Sequence, residues 1–190
     1  RAAHAFELEY LVHVARHELF WLEDADQPHT NLTWYFNNGL DPNVYIARPY
    51  ADAPTRLRAF VAYAKAVPAA LAQLRENVRR PMPLAYLEYG VAGFNGFAEY
   101  YRSDVKAAFA SVEDAALQTE LDTAIETAAV AMADEAAWLE QQRASATQDF
   151  ALGAERFARM LAETEGVTVS LDELEAIGRA DLRRNQDALS

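Results

Sequence analysis

The chain has 190 residues, 52% of them hydrophobic, with 7 Gly, 7 Pro and no Cys; it carries enough apolar surface for a packed core and has no disulfide or thiolate chemistry. Its formal net charge of -12 repels phosphate backbones and anionic headgroups, so neither nucleic acid nor an anionic membrane surface is an expected partner. No apolar run approaches the roughly 20 residues of a membrane span, and no span is expected.

Abundant alanine with sparse glycine and proline predicts a few long helices, because alanine loses no side-chain entropy in a helix. The expected fold class is all-α: a multi-helix bundle of long antiparallel helices. The expected organisation is a single helical domain over 1–190, with sub-bundles at 1–110 and 111–190.

In chain order, residues 2–23 place Leu8, Leu11, Val12, Ala15, Leu19 and Leu22 on one stripe at the spacing of a core-facing helix. Glu9, His13, Arg16 and His17 share the opposite face. Residues 24–52 are acidic, then rich in Asn, Pro and aromatics, and read as an ordered excursion with a short helix after Asp41-Pro42. A helix beginning near Asp52 or Pro54 uses Leu57, Phe60, Val61, Ala64 and Val67; Pro68 is expected to kink or end it before the pattern resumes at Leu71, Leu74 and Val78. After a break at Arg79-Arg80-Pro81-Met82-Pro83, a helix from about Pro83 carries Tyr86 to Tyr101. The longest element, about 112–144, aligns Leu117, Leu121, Ile125, Ala128, Met132 and Leu139 and should span roughly 45–50 Å. Asp149 precedes a helix through Phe157, Met160 and Leu161 that closes at Gly166. Ser170 and Glu173 form a capping-box pattern opening a last helix, expected to bury Leu171, Leu174, Leu182 and Leu189. Val167-Thr168-Val169 alone is strand-like, too short for a sheet. The pattern starts inside a helix at Arg1 and runs on to Leu189, so both ends read as cut from a longer chain.

Two groups of residues could carry chemistry. Glu9, His13 and His17 stack one turn apart, a spacing at which two histidines and a carboxylate can share a metal. His17-Glu18 is not followed by the second histidine of a zinc-peptidase motif, and repeated Glu-x-x-His patterns of a metal-carboxylate bundle are missing. These residues therefore read as a polar face, packed or solvated, and no metal ligand is assigned among them. In Tyr86 to Tyr101, Gly90, Gly93 and Gly96 recur every three residues within a helix. Each costs about 1 kcal/mol relative to Ala, so close approach of another group along that groove should compensate. The segment reads first as core packing and second as the wall of a cleft lined by Tyr86, Tyr89, Asn95 and Tyr100, with Glu88 and Glu99 as further polar contacts. Carboxylate runs such as Glu23-Asp24-Asp26, Glu113-Asp114 and Asp172-Glu173 fall at helix ends and read as structural. There is no serine nucleophile elbow, Cys-His pair or phosphate loop, so no catalytic residue is assigned.

Two ordered stretches carry a resemblance. The first runs from Asp41-Pro42 through Arg48-Pro49-Tyr50-Ala51, Arg56 and Val67-Pro68-Ala69-Ala70-Leu71 to Arg75-Glu76-Asn77-Val78 and Pro81. The second comprises Ala136-Ala137-Trp138-Leu139, Asp149-Phe150-Ala151-Leu152-Gly153-Ala154-Glu155-Arg156-Phe157, and Ser170-Leu171-Asp172-Glu173-Leu174 with Gly178. Together they resemble the N-terminal half of the bacterial domain of unknown function 885. The resemblance implies a larger helical protein, similar to zinc metallopeptidases, with a deep cleft between helical lobes. Its metal motif, of the His-Glu-x-x-Pro-Gly-His type, belongs to the C-terminal half, and no position here matches it. The expectation is a non-catalytic lobe with no cofactor of its own. Zinc would be held by the full-length protein, and the partners would be the C-terminal half of the same chain and a peptide substrate. The contrasting expectation is a helical scaffold or protein-binding module without a catalytic role.

Overall fold

The computed structural model describes residues 2–189, with side chains from residue 4. The helices are α1 (Ala2–Leu19), α2 (Gln27–Thr30), α3 (Ala53–Asn77), α4 (Leu84–Tyr100), α5 (Lys106–Ala108), α6 (Ala115–Gln142), α7 (Ala154–Glu165) and α8 (Leu171–Ala188), with π-helical or 3₁₀ turns between several of them. Among the described residues there is no strand, only an isolated bridge between Pro83 and Thr147. The fold is an all-α bundle.

The helices divide into two compact units. One comprises residues 2–27 with 151–189, the other residues 28–150. The division considered at residue 110 falls inside the second unit, because α6 packs along both α3 and α4.

In the 28–150 unit the local signals act as read. Asp52 caps α3 by accepting the Thr55 amide at 2.8 Å, with Pro54 in the first turn. Asp114 caps α6 by accepting the Leu117 amide at 3.0 Å. The apolar stripe of α3 (Leu57, Phe60, Val61, Ala64, Val67, Leu71, Leu74) and that of α6 are buried together with Leu87, Phe94 and Ala98 of α4. Pro68 does not end α3, which runs unbroken to Asn77. An interior proline costs about 3 kcal/mol, but Val67, Leu71 and Leu74 around it are fully buried at about 1.5–3 kcal/mol each, so burial wins. α6 spans about 42 Å, slightly shorter than the pattern implied.

Between α3 and α6 lies a buried ion pair. Glu135 is 0% exposed; its Oε2 accepts from Arg75 Nε at 2.6 Å, and Oε1 has no partner. The Arg75 guanidinium also lies 5.1 Å from the Trp138 ring centroid. Burial holds the Glu135 carboxyl above the usual carboxylate range despite the pull of Arg75 in the other direction.

The 2–27/151–189 unit departs from the amphipathic reading. α1 packs against α7, and it does so with its polar side. His13 Nε2 donates to the Thr164 carbonyl at 3.1 Å, Arg16 lies 3.9 Å from Glu163, and Asp24 pairs with Arg159 at 2.7 Å. The stripe expected in a core is instead exposed: Leu8 and Leu11 are each 63% accessible, and Val12, Leu19 and Leu22 are exposed as well. The last helix behaves likewise, with Leu182 and Leu189 exposed and no residue of α8 buried. Periodicity identified the apolar face correctly, but no element of this unit covers it.

Candidate substrate-binding cleft

The excursion at 31–45 becomes ordered by satisfying its own polar groups. Asn31 Oδ1 accepts from the Thr33 amide and hydroxyl, at 3.0 and 2.7 Å. The Tyr35 hydroxyl donates to the Pro28 carbonyl at 2.8 Å and accepts from Asn77 Nδ2 at 2.9 Å, tying the segment to the end of α3. Asp41 Oδ1 then accepts the Asn43 amide at 2.8 Å, capping the short 3₁₀ turn Pro42–Tyr45 as Asp-Pro chemistry suggested.

This segment lies in the glycine groove of α4. A Cβ on Gly90 would stand 2.4 Å from a Leu32 methyl carbon, and one on Gly93 would stand 2.5 Å from the Phe36 ring. Both glycines are thus explained by close packing. Phe36, 9% exposed, meets Phe94 and Phe97 edge to face, with centroids 4.9 and 5.2 Å away. Gly96 differs, because nothing lies within 4 Å of where its Cβ would be.

Gly96 opens onto a cleft of about 440 Å³ lined by Phe36, Asp41, Asn43, Tyr89, Gly93, Gly96, Phe97 and Tyr100. The Tyr100 hydroxyl donates to Asn43 Oδ1 at 2.9 Å, joining α4 to the capped turn. Burial, together with the negative charges of Asp104 and Asp41, pushes the Tyr100 phenol above its ordinary value, so it stays a donor. A second opening of about 430 Å³ shares Phe36 and Asp41 and adds Asn37, Gly39, Val44, Tyr45 and Tyr63. Near it, the Tyr63 and Tyr101 hydroxyls are buried within interaction range of each other and make no other hydrogen bond. Burial pushes Tyr63 up to about 12, and Tyr101 upward as well.

Of the four cleft residues expected from the sequence, Tyr89 and Tyr100 line the cleft. Tyr86 packs partly buried against the core, and Asn95 is exposed, away from the lining. Glu88 is engaged by Arg143 at 3.1 Å, and neither it nor Glu99 reaches the cleft. The sequence did hold the discriminating signal. Positions 89, 93, 96 and 100 are spaced by four, three and four residues, one row of a helix face, and 95 does not belong to that row. Phe36, Asp41 and Asn43 were missed because their arrival depends on a loop path that has no period.

Glu9 and His13 border a separate hollow of about 400 Å³ with Leu8, Val12 and Arg16. The Nε2 of His13 is engaged with Thr164, the Arg16 guanidinium is unfavourable to a cation, and His17 stands edge-on to Trp21 at 6.4 Å. Among the described residues no three metal-ligating side chains converge, and the Glu9, His13 and His17 set does not fit a metal centre. No described helix is long and apolar enough to cross a membrane.

Fold and cleft together define an all-helical protein with an aromatic, glycine-notched groove built by an ordered loop against one helix. The chain belongs to the family described as bacterial protein of unknown function (DUF885), whose model matches residues 3–190. No curated protein and no solved structure matches it.

Proposed function

We propose that this chain is the non-catalytic helical lobe of a zinc-dependent, peptidase-like hydrolase, and that its cleft forms a wall against which a peptide substrate is laid. The reading rests on the cleft: an ordered loop and α4 hold four aromatic rings around a groove whose Gly96 notch no side chain fills. Zinc, held by the remainder of the protein, would supply an activated water. This lobe contributes position and exclusion of solvent, which such hydrolysis needs as much as the metal. The uncovered apolar stripe of α1 supports the lobe reading, since an exposed patch of that kind marks a surface that another element covers.

The test is peptide hydrolysis by the full-length protein, with chelator sensitivity as the check on metal dependence. Tyr89→Ala and Tyr100→Ala should each lower kcat/KM about tenfold, mainly through KM, whereas Asn95→Ala leaves both constants unchanged. Wild-type kinetics in both tyrosine variants would remove the cleft from the reaction.

A further inference from the structure

We propose that the cleft between the 36–43 segment and α4 is a recognition pocket for the basic side chain of a peptide, a lysine or arginine, bound by the Asp41 carboxylate among the rings of Tyr89, Phe97 and Tyr100. The choice of a peptide as ligand rests on the function proposed above; the cationic character is argued from the pocket itself.

Asp41 is the one charged residue in the lining of either opening. Its Oδ1 takes the Asn43 amide at 2.8 Å, and among the described residues no Lys, Arg or His pairs with it. Asp41 is exposed at the rim, so its pull on a cation is screened by water and modest, and the neighbouring rings must add to it. Aromatic rings favour the same ligand, since their negative faces attract ammonium and guanidinium groups. The Tyr100 hydroxyl cannot answer Asp41, because its proton is committed to Asn43 Oδ1. Burial first, and then the negative charges of Asp104 and Asp41, push the Tyr100 phenol upward, so both carboxylates act at this rim, and the chain's net charge of -12 attracts cations in general. The open space beside Gly96 gives an aliphatic stem somewhere to lie. A purely apolar side chain would leave the Asp41 carboxylate unanswered, and an anion would be repelled.

The test compares two probes differing only in charge, N-acetyl-lysine methylamide and N-acetyl-norleucine methylamide. Each is titrated into the 190-residue chain while the amide resonance of Gly96 and the ring resonances of Tyr89 and Tyr100 are followed. The lysine probe should bind about tenfold more tightly, shift those resonances, and lose its advantage as salt is raised. Asp41→Asn, which keeps an oxygen to cap the Asn43 amide, should abolish the preference with helicity unchanged. Tyr89→Leu, at a residue 63% exposed and therefore safe for folding, should weaken the lysine probe and spare the norleucine one. Equal binding of the two probes, no saturable binding of the lysine probe, or a preference that survives Asp41→Asn would each overturn the inference. Any of these could coexist with the kinetic effects of Tyr89→Ala and Tyr100→Ala in the full-length protein, so the two proposals fail separately.

Discussion

Replacing Gly93 by Ala should destabilise the native chain, yet stabilise the same chain once Phe36 has been replaced by Ala. In the native packing the new methyl would stand 2.5 and 2.6 Å from two Phe36 ring carbons, against the ~3.5–4.0 Å of a comfortable carbon contact. The ring cannot simply step aside, because Phe94 and Phe97 hold it edge to face. Overpacking of this kind costs about 1–3 kcal/mol. The Gly-to-Ala gain in helix propensity returns up to about 1 kcal/mol, leaving a net loss of about 0–2 kcal/mol. Phe36→Ala alone should cost about 3 kcal/mol, the low end for a buried phenylalanine, since the vacated space adjoins the cleft and fills with water. In that background the Gly93→Ala clash has gone and the propensity gain remains. The coupling between the two positions should therefore be about 1–3 kcal/mol. Four urea melts followed by helical circular dichroism measure it. A Gly93→Ala effect of the same sign and size in both backgrounds would show that Phe36 does not occupy the notch.

Two further outcomes follow from buried groups. Glu135 binds its proton more tightly folded than unfolded, so its contribution to stability is complete below the ordinary carboxylate range and is lost as pH rises through its elevated value. Glu135→Gln should then gain stability relative to the native chain as pH rises above the ordinary carboxylate range of about 4, and a difference flat in pH would refute this. Tyr101→Phe removes a buried hydroxyl whose one polar neighbour is the Tyr63 hydroxyl and should change stability by no more than about 1 kcal/mol; a larger loss in the melt would mean the hydroxyl is fully bonded. Tyr63, pushed up to about 12, stabilises the fold below the ordinary tyrosine range and loses that contribution as pH climbs through its own value. It should appear as a late step in tyrosinate absorbance, and its ionisation together with the exposed tyrosines would argue against its burial.

What could be read from the sequence divides along a physical line. The α3 and α6 stripes were legible because each meets a partner helix within the same unit, so the 3.6-residue period and burial agree. The helix starts at Asp52 and Ser170 were legible because such caps act within three residues, whereas Asp114 was read only as a helix-end acid and not as the cap it is. α1 was half legible. Its stripe is real, but a period identifies an apolar face without saying what covers it, and the face that packs on α7 is the one bearing His13 and Arg16. Pro68 misled because a local cost was weighed without the burial on either side of it. At the cleft, Tyr89 and Tyr100 came from composition and stood on the right row, whereas Asn95 was chosen for its chemistry and lies off it. Asp41 was read only as a cap. Its second oxygen matters because the loop carries it to α4, a distance in space that no pattern in the chain records.

The unit made from both ends of the chain has a consequence during synthesis. Residues 2–27 leave the ribosome long before residues 151–189, against which they pack. At roughly 5–20 residues per second the wait is on the order of ten seconds. Throughout it the middle unit can fold, while the face of α1 that bears His13 and Arg16 waits without Thr164 and Glu163. α1 therefore stays without its packing partner until α7 has emerged, and a chaperone that holds segments near the exit tunnel should matter most to this chain during that interval.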